Sequence, residues 1–144
     1  MADTKRDLQP AVPVIWLLGK TGAGKTSLVR ALTGEGEIGG GFEPGTRGAA
    51  TYDFPAAVPA IRFLDTRGLG EAGYDAADDI ATAQRSAQAI LAVMRLDDPV
   101  QAPVSDILKK TKLPVLVVHT GADLVSDPGA QLRARAHLTA QAGR

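Results

Sequence analysis

At 144 residues the chain is long enough for one domain with a real hydrophobic core. Sixteen basic and sixteen acidic residues cancel, so the basic excess or stripe of a nucleic-acid-binding domain is lacking. With no cysteine, disulfides, thiolate metal sites and cysteine nucleophiles are excluded together.

The first residues, MADTKRDLQPAVP, are polar, lack the apolar core of a signal peptide, and read as a lead-in over 1–13. No apolar run approaches the ~20 residues needed to cross a membrane, so a cytoplasmic protein is expected. VIWLL (14–18) is a short continuous apolar run ending in glycine, as in a strand buried on both faces. TSLVRALTG (26–34) carries Leu28, Val29 and Leu32 at helical spacing and stops at Gly34. Residues 35–48 hold six glycines and one proline and are expected to form a mobile loop. AATYDF (49–54) and AIRFLD (60–65) read as two strands that could pair as an edge hairpin.

A helix-prone stretch, 75–88, leads into the apolar run AILAVM (89–94). SDILKKT (105–111) fits a short helix with Ser105 as its cap, and LPVLVVH (113–119) a last buried strand. Asp127 followed by Pro128 marks the start of a final helix. Most strand connections then need helical crossovers. The expected fold is a three-layer α/β fold, a mostly parallel sheet with helices on both faces. Ligands of such sheets bind at the carboxyl ends of the strands.

GKTGAGKT (19–26) matches G-x-x-x-x-G-K-[ST], the P-loop pattern, between a buried strand and an apolar-faced helix, so the expected three-layer α/β fold is that of the P-loop NTPases. Gly19, Gly22 and Gly24 let the backbone turn tightly and aim its N–H groups at phosphate oxygens. Lys25 would bridge the terminal phosphates, Thr26 would coordinate magnesium, and the helix start adds its positive dipole end. The expected nucleotide contacts here are Gly19, Gly22, Ala23, Gly24, Lys25, Thr26 and Ser27; the alternative is a glycine-rich turn with a surface lysine.

Asp65 closes a strand, where a magnesium-linked carboxylate belongs, and Gly68 three residues later offers a backbone N–H to a gamma phosphate. Thr46, in EPGTRG, could complete the magnesium shell only when that phosphate is present; otherwise it is a turn threonine beside Pro44 and Gly45. Magnesium is therefore the expected ion, on Thr26, Thr46 and Asp65. Lys25, Thr46 and Gly68 are the expected catalytic contacts. After the last strand comes TGAD (120–123), where Thr120 flanks Asp123, a carboxylate able to accept from both N1–H and the exocyclic amine of guanine. Adenine offers no such pair.

On these residues the chain resembles the translation-factor-class GTPases, most closely the Era-like branch, over residues 14–125. GKTGAGKT is similar to its P-loop, PGT to its first switch, DTRG to its Asp-x-x-Gly and TGAD to its [NT]-K-x-D motif. The resemblance implies a GTP/GDP switch that hydrolyses GTP, with an activating protein or self-association acting through residues 35–54 and 66–80. Gly121 departs from the family, whose lysine there packs along the base and P-loop. Leu69 stands where Ras-like members carry a water-orienting glutamine, so slow turnover is expected. Relatives that recruit potassium use an asparagine where this chain has Gly22. Arg67, Glu71 and Arg47 are weaker candidates for the lacking function, each readable as a surface residue. The family's last strand, base-backing loop and last helix find no counterpart, so 14–144 is expected to be a G domain incomplete at its C-terminus. Two other readings stay open: a nucleotide-binding assembly module with negligible hydrolysis, and an ATP-using P-loop enzyme, which TGAD disfavours.

Overall fold

A computed structural model describes residues 12–33, 39–42, 49–66 and 77–143. Its elements in chain order are β1 (Val14–Gly19), α1 (Lys25–Thr33), β2 (Gly39–Phe42), β3 (Ala49–Phe54), β4 (Ile61–Thr66), α2 (Ala77–Ser86), β5 (Ala89–Arg95), α3 (Ala102–Lys110), β6 (Val115–Thr120) and α4 (Pro128–Ala142). A 3₁₀ turn, Ala122–Leu124, joins β6 to α4.

The six strands form one sheet in the order β2-β3-β4-β1-β5-β6. β4, β1, β5 and β6 run parallel, and β2 and β3 add an antiparallel edge. The continuous apolar run of β1 is explained by its central place. Trp16 and Leu18 point into one core with Ala83 of α2, Val104 and Leu108 of α3, and Leu138 of α4. Leu17 points the other way, into a core with Phe63, Leu91, Val93 and Val29 of α1. Alternation along a strand thus feeds two layers, as both faces of a parallel sheet demand. The Trp16 indole N–H donates to Thr66 Oγ1 at 3.2 Å, satisfying the one polar group of a fully buried ring.

Three expectations need correcting. The glycine-rich stretch 35–48 contains a strand, β2, whose Gly39–Phe42 pair with Ala50–Asp53. Cross-strand hydrogen bonds from the partner hold it, although three glycines give it no strand propensity of its own. Ser105 does not cap α3. The helix starts one turn earlier, after Gln101 and with proline in its first turn, and the Ser105 hydroxyl donates to the Ala102 carbonyl at 3.2 Å. β6 is half-buried rather than buried, with Leu116 65% exposed, because it is the last strand of the described sheet. Asp127 does cap α4, accepting from the Ala130 N–H at 2.8 Å. Among the described residues no helix is long and apolar enough to cross a membrane.

Candidate functional site

The carboxyl ends of β1, β4, β5 and β6 lie side by side, and each delivers one part of the site. β1 runs into residues 20–24, a loop closed by the Ala23 N–H donating to the Lys20 carbonyl at 3.0 Å. Gly22 and Gly24 have φ of +81° and +90°, which side chains beyond glycine rarely adopt. α1 then begins at Lys25, its four leading N–H groups and positive dipole end turned toward this loop.

Lys25 is 7% exposed, and its Nζ donates back to the Gly19 carbonyl at 3.3 Å. The same ammonium lies 3.7 Å from Asp65 Oδ1, beyond hydrogen-bond reach but close enough for an ion pair. Asp65 Oδ2 accepts a long hydrogen bond, 3.4 Å, from the Thr26 hydroxyl. The residue is only 5% exposed, and Oδ1 is buried without a hydrogen-bond partner. Desolvation pushes the Asp65 pKa up; Lys25 and Thr26 pull against it without cancelling it. A carboxylate kept under-satisfied beside a hydroxyl is poised for a further positive partner.

That donor set fits magnesium. Both groups are hard oxygens, and among the described residues no cluster of three or more His, Cys, Asp or Glu forms a cage. An ion that keeps most of its waters and takes substrate phosphate needs no cage.

β6 supplies the other end of the site. The Thr120 hydroxyl donates to the Ala23 carbonyl at 2.6 Å, locking the loop after β6 to the phosphate loop. Gly121 follows in the left-handed region, and Asp123 sits exposed in the 3₁₀ turn. A cavity of about 430 Å³ opens between residues 22–24, Ser27 and Leu28 on one side and Thr120, Gly121 and Leu124 on the other. Its volume lies within the range of small-ligand pockets.

Lys25, Thr26 and Asp65 are therefore brought together, and Gly22, Ala23, Gly24, Ser27 and Thr120 line or close the adjoining cavity. Gly19 ends β1 beneath Lys25. Asp123 is on the same loop as Thr120, one residue past Ala122. Thr46 and Gly68 lie outside the described residues, as do Arg47, Arg67, Leu69 and Glu71. The sequence reading passed over Arg95, which lines the cavity from the end of β5. Its position in the run AILAVMR, at a strand end next to the TGAD strand, was the available signal. Lys20 was passed over too. It pairs with Asp98 at 2.6 Å and donates to the Val100 carbonyl at 2.8 Å, tying the phosphate loop to the segment before α3.

A protein-family model described as 50S ribosome-binding GTPase matches residues 14–120. No curated protein matches the sequence. Among solved structures the chain is similar to a small COPII coat GTPase, Sar1, from Encephalitozoon cuniculi in complex with GDP. The TM-score is 0.69 at 17% identity, covering 96% of this chain and 64% of that one. It is also similar to the G domain of the T. maritima FeoB iron transporter, with a TM-score of 0.60, 23% identity, and coverage of 91% and 82%. An Aquifex aeolicus Era variant bound to GDP and AlF4⁻ gives 0.62 at 20% identity, covering 89% of this chain and 46% of that one. The chain thus spans less than two thirds of the Sar1 and Era chains. At such identities the structures speak for a shared fold, and the family model for the sequence. The family model, which spans β1 to β6, places this chain in the 50S ribosome-binding GTPase family, a family of GTP-binding G domains.

Proposed function

We propose that this chain is a guanine-nucleotide switch that binds GTP and GDP and hydrolyses GTP slowly. The observation that carries the proposal is the buried Asp65 carboxylate, held against Lys25 and Thr26 at the end of β4. An ammonium 3.7 Å from a carboxylate in a dry site is expensive unless phosphate and metal complete it. The loop over residues 19–24 and the N-terminus of α1 would take the phosphates through backbone N–H groups, with Lys25 neutralising the terminal ones.

Thr26 and Asp65, with Thr46, would hold magnesium, which when bound neutralises charge on the beta and gamma phosphates. Gly68 would present its N–H to the gamma phosphate, linking its presence to the segment that follows β4. Asp123 would select guanine by accepting from N1–H and the exocyclic amine, and Thr120 fixes the loop that carries it.

The slow rate follows from Leu69, an apolar side chain that cannot orient the attacking water. A partner or a second copy engaging residues 35–54 and 66–80 would supply what is lacking. On its motifs this is an Era-like member working in the cytoplasm, a G domain over 14–144 preceded by the lead-in 1–13. Leu69 also supports a second reading, a module that binds nucleotide for assembly and turns over negligibly. Calorimetric titration with GDP and ADP in magnesium tests the main proposal; equal affinities would overturn guanine selection. Phosphate release in a single turnover separates slow hydrolysis from none.

A further inference from the structure

Gly121 brings no side chain to the loop after β6, and the neighbouring strand approaches it there. β5 and β6 run parallel with Arg95 and Thr120 as register partners, and the Leu96 N–H donates to the Thr120 carbonyl at 2.8 Å. This register sets the Arg95 stem directly against Gly121. A Cβ added to Gly121 would meet Leu124 Cδ1 at 3.3 Å, then Arg95 Cγ at 3.8 Å and its Nε at 3.9 Å. The guanidinium is not loose: Nε and Nη2 donate to the two Asp97 carboxylate oxygens at 2.8 and 2.7 Å. Held so, Arg95 forms part of the cavity wall together with Gly22, Thr120 and Gly121, the last two on the loop that goes on to Asp123. Asp97, Asp98 and Asp123 all keep it cationic.

We infer that Arg95 is the base-stacking residue of this site, its planar guanidinium lying on one face of the guanine whose edge Asp123 reads. The inference rests on the guanine-nucleotide reading above. A planar, weakly hydrated cation on a purine face gains both dispersion and cation–π attraction. Asp97 fixes the plane in advance, so little rotamer entropy is lost when the base arrives. Gly121 has φ of +67°, which side chains beyond glycine rarely adopt, so the loop offers no side chain of its own at this point.

The test uses GDP and ribose 5-diphosphate, which carries the phosphates without the base, in the presence of magnesium. Arg95→Ala is expected to weaken GDP about tenfold and to leave ribose 5-diphosphate unchanged. Arg95→Lys, which keeps a stem and a charge, should recover part of the loss. Asp97→Asn, which loosens the guanidinium, should weaken GDP by a smaller factor. Melting of the nucleotide-free variants checks that each is folded. GDP binding by Arg95→Ala equal to wild type overturns the inference, and so does an equal loss for both ligands. If those results come with GDP binding that Asp123→Ala weakens while ADP is unchanged, the guanine-nucleotide reading survives. A wild-type protein that binds GDP no better than ribose 5-diphosphate overturns both.

Discussion

The two ends of the site are built on opposite principles. At the proposed phosphate end Lys25 and Asp65 are 7% and 5% exposed and face each other in a dry pocket. At the proposed base end Asp123 is exposed and the Arg95 side chain is 40% exposed. Charge in the dry pocket is strongly felt, and each group there depends on its partner. Charge at the open end is screened by water, so its contribution is selection between bases more than affinity. Binding strength should therefore reside at one end and base identity at the other.

The most damaging way to probe this contrast is at Lys25. Lys25→Ala strips the buried carboxylate of its cation and the phosphates of theirs, and should weaken GDP by about a hundredfold or more. Retained tight binding, read by calorimetry, would sink the assignment of residues 19–26 as the phosphate cradle. Asp123→Ala acts at the wet end, where two hydrogen bonds to the base are lost. GDP should weaken by about tenfold or more while ADP is unchanged, so the ratio of the two affinities moves toward one.

Asp65→Asn probes the dry end from its other side. Burial raises the Asp65 pKa in the folded state, so ionisation costs stability at neutral pH. That cost fades as pH falls through the raised value toward the ordinary 3.8. Nucleotide-free Asp65→Asn should thus melt higher than wild type at neutral pH, with the gap closing on acidification. Thermal denaturation over a pH series reads it, and a gap that widens toward acid would contradict the picture. The same variant should lose the magnesium dependence of nucleotide binding. The smallest effect on binding is expected from Leu69→Gln, a position proposed to bear on the attacking water and not on phosphate or base. Its GDP affinity should stay within about twofold of wild type. A large loss would mean that residue 69 contributes to the nucleotide pocket itself.

Much of this was readable in the sequence, for reasons that are local. Phosphate recognition needs a strand, a glycine turn and a helix start in unbroken succession, so GKTGAGKT announces itself. The same holds for Asp127-Pro128 at the start of α4, where cap and first turn are adjacent. Ser105 misled because one good capping residue was weighed without the proline two positions before it. β2 was missed because three glycines carry no strand signal; cross-strand pairing with β3 decided it.

The sequence by itself determined the order of strands and helices apart from β2, and it marked the loop over 19–24 and the carboxylates Asp65 and Asp123 as candidates, since each is flagged by its immediate neighbours. Only the tertiary structure decided that Lys25, Thr26 and Asp65 share one pocket. Only it decided that Arg95 stands against Gly121, across 25 residues of intervening chain. Parallel strands place residues from distant segments side by side, and their register is set by the packing of whole layers. No local pattern of residues carries that information.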